Sequence, residues 1–467
     1  MLDVYHYNPL PFRNNLYPYS FNHMICPLDF RYGRKEIKKI FSEESRLSYW
    51  LKVEAILAKA HAHVGNIPKE AAEEIAAKAN LEYVKLERVK EIEAEIRHDV
   101  MAMVKALAEQ CQHGKYVHLG ATSYDIVDTA NALQIIDALN IIEKEMAELI
   151  KAIARLAEEH KATIMIGRTH GQHALPITFG LKMAVYAKEM LRHYKRLQQI
   201  KEEVAVGKMS GAVGTGAAFG EKFFEVQDFV MKELGLKAEL PATQIVGRDR
   251  YIAMLSFLAN VATSLEKFAT EIRNLQRNEI AEVEEYFEKK QVGSSTMPHK
   301  RNPITCEQIC GLARVIRSNL LPAWENAIQW HERDLCNSSA ERFIIPHALI
   351  LTDWILYKMK QVFSSLRVYP EKMAENIEIS KGLIFTEAIM IKLVEKGMSR
   401  QEAHELMRQC AMEAKEKGVH LKEILKEKKE IVELLGGIDK LFNPENYMGK
   451  APELVEKTLK EIAEELR

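Results

Sequence analysis

Residues 248–287 read RDRYIAMLSFLANVATSLEKFATEIRNLQRNEIAEVEEYF, and within them Met254, Leu258, Val261, Leu265, Phe268, Ile272 and Leu275 recur at alternating steps of four and three. An α-helix turns once in 3.6 residues, so this spacing lays the apolar side chains along one narrow, coiled-coil-like seam. Residues 128–160 carry a second seam, made by Leu133, Ile136, Leu139, Ile142, Met146, Leu149, Ile153 and Leu156. A helix of about 35 residues spans roughly 50 Å. Rods of that length offer more apolar face than one small chain covers, which predicts a bundle continued across subunits. The alternative is a long helix packed wholly within its own chain.

The rest of the chain reads as helical too. Ser42 is placed to cap a helix running through Val64, because a short hydroxyl accepts an orphan amide at a helix start. Gly65-Asn66-Ile67-Pro68 ends that helix, and shorter ones follow to about His113. The first long helix is expected over Asp128–His160, the second over Arg248–Phe287, a third helical stretch over 304–330, and further helices from Ser339 onward. Strand signals are few and short. The fold expected is all-α, in three helical regions: 24–112, a central long-helix bundle over 113–365, and 366–467. The bundle would form a multi-helix core on tetramerisation. Residues 1–23, MLDVYHYNPLPFRNNLYPYSFNH, have neither a helical period nor the layout of a signal peptide. They are read either as an added arm or as sequence ahead of a natural start at Met24.

Composition narrows the function. The 467 residues are 47% apolar and 28% charged with a formal net charge of −1. No basic excess calls for nucleic acid or an anionic membrane. Cysteines at 26, 111, 306, 310, 336 and 410 form no CxxC pair, which fits a reducing cytosol. Cys306 and Cys310, one turn apart, are read as small buried residues rather than a metal site. No run approaches ~18 uninterrupted apolar residues, so no membrane span is expected. Gly207–Gly220, GKMSGAVGTGAAFG, contains a glycine pattern that mimics a dinucleotide loop, but without a preceding buried strand and a βαβ context.

Five polar islands interrupt the helices: residues 97–99 (RHD), 117–125 (VHLGATSYD), 167–173 (GRTHGQH), 293–303 (GSSTMPHKRNP) and 330–342 (WHERDLCNSSAER). Glycine and proline break the helical pattern there, and loops on a rigid scaffold are where function concentrates. Several islands sit where a long helix starts or ends, and a helix N-terminus suits carboxylates and phosphates. His98, His118 and His170 stand out among the 16 histidines because each lies in an island. No HExxH or Cys/His pattern of metal-ligand spacing accompanies them.

RHDV, HLGATSYD, GRTHGQHA, KMSGAVGT, GSSTMPHKRNP and WHERD with SSAER together resemble the adenylosuccinate lyase branch of the fumarase/aspartase superfamily, over essentially everything from Arg31 onward. The resemblance implies β-elimination of fumarate from adenylosuccinate to give AMP, and the same cleavage of the succinylated aminoimidazole carboxamide ribotide. It implies a cytoplasmic purine-biosynthetic enzyme without cofactor or metal. It also implies a homotetramer whose sites are each built from three subunits, with no nucleic-acid or membrane partner.

Such chemistry needs a base for the carbon-bound proton, an acid for the departing nitrogen, and cations for the extra carboxylate charge. By position, the resemblance makes Ser294 the base and His170 the acid. Lys300 and Asn302 would hold the carboxylate end, and His98 would pair with His170 or hold substrate. Glu307 would orient a histidine, a solvated helix position being its alternative. Arg31, Tyr32, Arg97, Asp99, His118, Thr122, Ser123, Thr169, Gln244, Ser295, Arg301, Arg333, Ser338 and Arg342 would bind the phosphate, ribose, purine or succinyl group. The carboxymuconate cycloisomerase branch shares a similar loop and is the nearest rival. A non-catalytic assembly reusing the fold is the rival from another class.

Overall fold

The computed structural model describes residues 25–287, 296–297 and 299–466. Helix α1 (Glu43–His63) starts as its sequence predicts, with the Ser42 hydroxyl accepting the Ser45 N–H at 3.2 Å. Helix α2 (Asp99–Ala108) is capped by His98, whose Nδ1 accepts the Met101 N–H at 3.3 Å. Helix α3 (Ser123–Glu159) is the first long rod, at 37 residues. It begins five residues before the predicted start, because Thr122 and Asp125 cap it: the Thr122 N–H donates to Asp125 Oδ2 at 2.8 Å.

An antiparallel hairpin follows, β1 (Ile164–Thr169) and β2 (Gln172–Thr178), where the sequence showed only a polar island. Thr169 pairs with Gln172, so His170-Gly171 is a two-residue loop, and both residues have positive φ, 54° and 74°. That is the geometry of the primed hairpin turns, usually met by Asn-Gly or Asp-Gly. The register slips between Ile166 and Arg168, and a Cβ on Gly167 would sit 2.8 Å from the Leu175 carbonyl. Arg168 anchors the hairpin through two bonds to the fully buried Glu282 carboxylate, at 3.0 and 2.8 Å.

Helix α4 (Phe179–Val204) and helix α5 (Asp249–Leu275) continue the bundle. The sequence reading extended α5 to Phe287, but the helix stops at Leu275, the last member of its seam. Beyond it the Gln276 side chain accepts the Glu285 N–H at 2.9 Å and donates to the Arg301 carbonyl at 3.1 Å. Val283–Glu284 then pairs as a short strand with Arg367–Val368. By length and composition alone α5 would suit a membrane span, yet all seven seam residues are buried in the bundle.

Helix α6 (Ile304–Ser318) and a short helix, Leu320–Asn326, divide the stretch read as one helix, a break consistent with Pro322 lacking an N–H. Helix α7 (Cys336–Ser365) runs on through Pro346, which leaves the Arg342 carbonyl without its helical donor.

Three apolar clusters result. The largest joins α3 to α7. A second gathers α1 and α2 with the start of α3, and borrows Val226, Val230 and Met231 from the helix Phe223–Leu234. The third lies within residues 377–438 and takes Ile166 of β1 into its core. Cys306 and Cys310 are buried in the first cluster, as read from their spacing. Val206–Gly207 is a buried two-residue strand that runs into the glycine-rich connector, paired in parallel with Lys237–Ala238, so a short buried strand does precede the glycine pattern. Its amides are used internally: Ser210 and Gly211 N–H both donate to Asp125, and Lys208 pairs with the same carboxylate.

Candidate functional site

A cleft of about 620 Å³ opens where α2, α3 and α7 approach one another. Arg97, His98, Asp99, Thr122, Ser123, Gln244, Arg333, Ser338 and Arg342 line it, so three of the five islands and Gln244 meet in one place. Arg97 ends the helix before α2 in a left-handed conformation, φ 56°, which turns the chain into His98. Because His98 Nδ1 accepts a backbone N–H, its neutral ring carries the proton on Nε2. Asp99 accepts its neighbour Val100 N–H at 2.8 Å and the Arg342 guanidinium at 2.7 Å.

Beneath the cleft, Arg248 binds Asp128 of α3 and Glu341 of α7, with four hydrogen bonds of 2.7–3.1 Å. Burial alone would lower the Arg248 pKa, but the two carboxylates outweigh it and hold the guanidinium charged well beyond its ordinary range. Burial raises the Glu341 pKa against the pull of Arg248. This clamp was not read from sequence, nor was Tyr124, whose hydroxyl donates to Ser338 Oγ at 3.0 Å. The sign available was the RDR run after Gln244, which marked charge but not its partners.

Other candidates lie elsewhere. His118 does not line the cleft. Its Nδ1 meets the buried Glu54 carboxylate at 2.6 Å, and although burial alone would lower its pKa, Glu54 raises it overall. Thr169 and His170 are exposed at the hairpin turn, outside the cleft. Arg31 is exposed, Tyr32 packs against the main core, and the two make a cation–π contact at 5.9 Å without reaching the cleft. Ser294 and Ser295 lie outside the described residues.

Lys300 and Glu307 are exposed, at the approach to α6 and in its first turn. Arg301 pairs with Glu284 at 2.7 Å, and Asn302 is half-buried beside it. The Glu285 carboxylate accepts the Thr305 and Cys306 N–H groups, each at 3.0 Å, and so fixes the start of α6. One chain therefore gathers Arg97, Arg333 and Arg342 in the cleft and leaves Arg31, Arg301, His170, Lys300 and Glu307 outside it.

Among the described residues no cluster of His, Cys, Asp and Glu is arranged to hold a metal ion. His61 and His63, two apart on α1, do not share a face. His61 contacts the Leu119 carbonyl, and the His63 ring lies tilted against Phe229 with centres 4.9 Å apart.

Comparison with known proteins adds the family. A profile described as lyase matches residues 30–318, and one described as the adenylosuccinate lyase C-terminus matches residues 382–458. The chain is 56% identical to the adenylosuccinate lyase of Pyrococcus horikoshii over 94% of its own length and 98% of the relative. It is 50% identical to that of Methanocaldococcus jannaschii, covering 94% and 96%. Among solved structures, a Mesorhizobium fumarate lyase superposes with a TM-score of 0.84 at 33% identity, covering 96% of this chain and 100% of the other. The 3-carboxy-cis,cis-muconate lactonizing enzyme of Pseudomonas putida gives 0.86 at 31%, covering 94% and 99%.

Proposed function

This chain belongs to the adenylosuccinate lyase family, and from that we infer its reaction: β-elimination of fumarate from adenylosuccinate to leave AMP, in purine nucleotide biosynthesis. The observation that carries it is the meeting of Arg97, Arg333 and Arg342 with Thr122, Ser123 and Ser338 in one cleft. Three guanidinium groups and three hydroxyls suit a substrate that bears a phosphate and two carboxylates. The succinylated carboxamide ribotide presents the same groups and is taken as a second substrate.

In the elimination, Ser294 takes the proton from the carbon beside a carboxylate, the C–N bond breaks, and His170 protonates the departing nitrogen. Lys300 and Asn302 stabilise the doubly charged carboxylate that precedes bond cleavage, which is the larger electrostatic demand. The Lys300 ammonium would favour the Ser294 alkoxide, because a nearby opposite charge stabilises the charged form. His98 offers its Nε2–H toward the substrate from the cleft wall, and Glu307 orients a histidine. These roles rest on position in the family pattern.

The working enzyme is a cytoplasmic homotetramer in which each site draws on three subunits. The separation of His170, Lys300 and Glu307 from the cleft within one chain supports this. So do the exposed apolar residues Trp324, Ile328, Trp330, Leu335 and Phe343 on and beside the α6–α7 connection. The divisions near residues 112 and 365 are proposed on the same footing, although the second core continues past 112 into the start of α3 and the first takes in Val455 and Ile462.

The test is turnover of adenylosuccinate followed by absorbance, with fumarate assayed separately and EDTA present. Equal amounts of AMP and fumarate are expected. No turnover by a folded tetramer would remove this reading and make carboxymuconate the next substrate.

A further inference from the structure

We propose that Tyr124 is a positioning residue that holds Arg333 and Ser338 ready for an anionic group of the substrate. This rests on the reaction proposed above and adds a residue whose part in it the motifs did not disclose. Tyr124 is the second residue of α3 and only 8% exposed. The Arg333 Cζ lies 3.4 Å from the centre of its ring, which is stacking contact. The negative face of a tyrosine ring attracts a guanidinium, more strongly where water is excluded.

Arg333 is otherwise held by neutral oxygens. Its Nε donates to the Asp334 carbonyl and its Nη1 to Gln244 Oε1, both at 3.0 Å. Gln244 is itself fixed, donating to the Ala212 carbonyl at 3.0 Å. The Arg333 Nη2 is enclosed and has no acceptor. Among the described residues no carboxylate lies within ion-pair distance of Arg333, whereas Arg342 has Asp99 and Arg248 has Asp128 and Glu341. A cation fixed in orientation, lining a cleft and without a direct ion pair, the Asp334 carboxylate acting on it only from beyond that distance, is a preorganised anion receptor.

The tyrosine hydroxyl completes the arrangement. By donating to Ser338 Oγ it occupies an acceptor position and leaves the serine its own hydrogen to give away. One side chain thus sets two donors, a guanidinium and a hydroxyl, toward the same kind of ligand. That ligand is an oxyanion of the substrate, either its phosphate or a succinyl carboxylate.

The experiment compares Tyr124→Leu, which removes ring and hydroxyl, with Tyr124→Phe, which keeps the stack. KM and kcat for adenylosuccinate are measured, with inhibition constants for AMP, which has only the phosphate, and for succinate, which has only the carboxylates. Thermal midpoint and tetramer mass confirm that each variant is folded. Tyr124→Leu is expected to raise KM roughly tenfold while kcat changes by less than about threefold. Tyr124→Phe is expected to recover most of that loss.

A parallel rise in the AMP constant assigns the phosphate, and a rise in the succinate constant assigns a carboxylate. If a folded Tyr124→Leu tetramer keeps KM and both inhibition constants within about twofold of the parent, the proposal is overturned. Calorimetric binding of AMP to the parent enzyme needs no turnover. Binding without turnover would therefore strike the proposed reaction, and turnover indifferent to Tyr124 would strike this inference alone.

Discussion

The Arg342 guanidinium donates to Asp99 Oδ2 at 2.7 Å, joining the start of α2 to the first turns of α7 across 243 positions of sequence. Both residues line the cleft, and Arg342 is about half exposed, 54%. An ion pair so open to water contributes little to folding, roughly 0.2–1 kcal/mol. Its larger effect is to hold Arg342 in one orientation. Asp99→Ala is therefore expected to raise KM for adenylosuccinate about tenfold with little change in melting temperature. Asp99→Asn keeps an oxygen acceptor and should cost about threefold. A large fall in melting temperature with unchanged KM would show that the pair serves the fold instead.

The clamp beneath the cleft should behave in the opposite way. Arg248 is 4% exposed and is the shared partner of Asp128 and Glu341. Arg248→Met strands two buried carboxylates, a change that typically costs about 3–5 kcal/mol. Urea unfolding is expected to show a loss of that order. Adding Asp128→Asn and Glu341→Gln should recover a substantial part, because neutral amides are less costly to bury than unpaired charges. A single variant as stable as the parent would mean that water or another cation already reaches those carboxylates.

These two pairs show where sequence reading stops. The seams of α3 and α5 were legible because periodicity is local, and the α5 seam ended at Leu275, where the helix itself ends. The extension to Phe287 had no periodic residue behind it. The islands holding Arg97, Thr122 and Arg342 were legible because charged and hydroxyl residues cluster where helices break, and the family resemblance then named those three as binding residues. Their partners were not, since Arg248 meets Glu341 across 93 positions and Tyr124 meets Ser338 across 214. Only the packing of α3, α7 and the start of α5 brings those groups together. The β1–β2 hairpin escaped notice because histidine stands where a primed turn usually has asparagine or aspartate.

Acid sensitivity is expected from a residue outside the cleft. His193 on α4 is 2% exposed, and its Nε2 lies 2.9 Å from Ser264 Oγ, which donates to Glu189 at 2.6 Å. Its Nδ1 is enclosed without a partner, so a second ring proton would have no acceptor. Burial first, and then the charge of Arg196, lower its pKa from 6.5 to about 4. Above pH 6.5 folded and unfolded chains both hold a neutral ring, and its contribution is fully present. As pH falls from 6.5 toward 4 the unfolded chain gains the proton first, and stability drops by about 3 kcal/mol in all. Unfolding midpoints between pH 8 and pH 4 should show a shallower decline for His193→Gln than for the parent. Superimposable slopes would remove His193 as the cause.

Complementation tests the shared site, and the hairpin geometry decides which variant to use. At φ 54° an alanine in place of His170 would strain the turn, whereas asparagine tolerates the left-handed region. His170→Asn should therefore keep the proposed tetramer and the melting temperature while removing the proposed acid, with turnover falling about 10²–10⁴-fold. Ser294→Ala is expected to fall by a similar factor. If each site takes these two residues from different subunits, an equal, fully exchanged mixture rebuilds about a quarter of the sites, since each residue is intact with a chance of one half. The mixture should then show about a quarter of parental activity. Mass spectrometry of differently tagged subunits verifies the exchange. Activity that stays at the level of the separate variants after full exchange would place Ser294 and His170 of one site on the same chain, and would leave the oligomer without the catalytic role proposed for it.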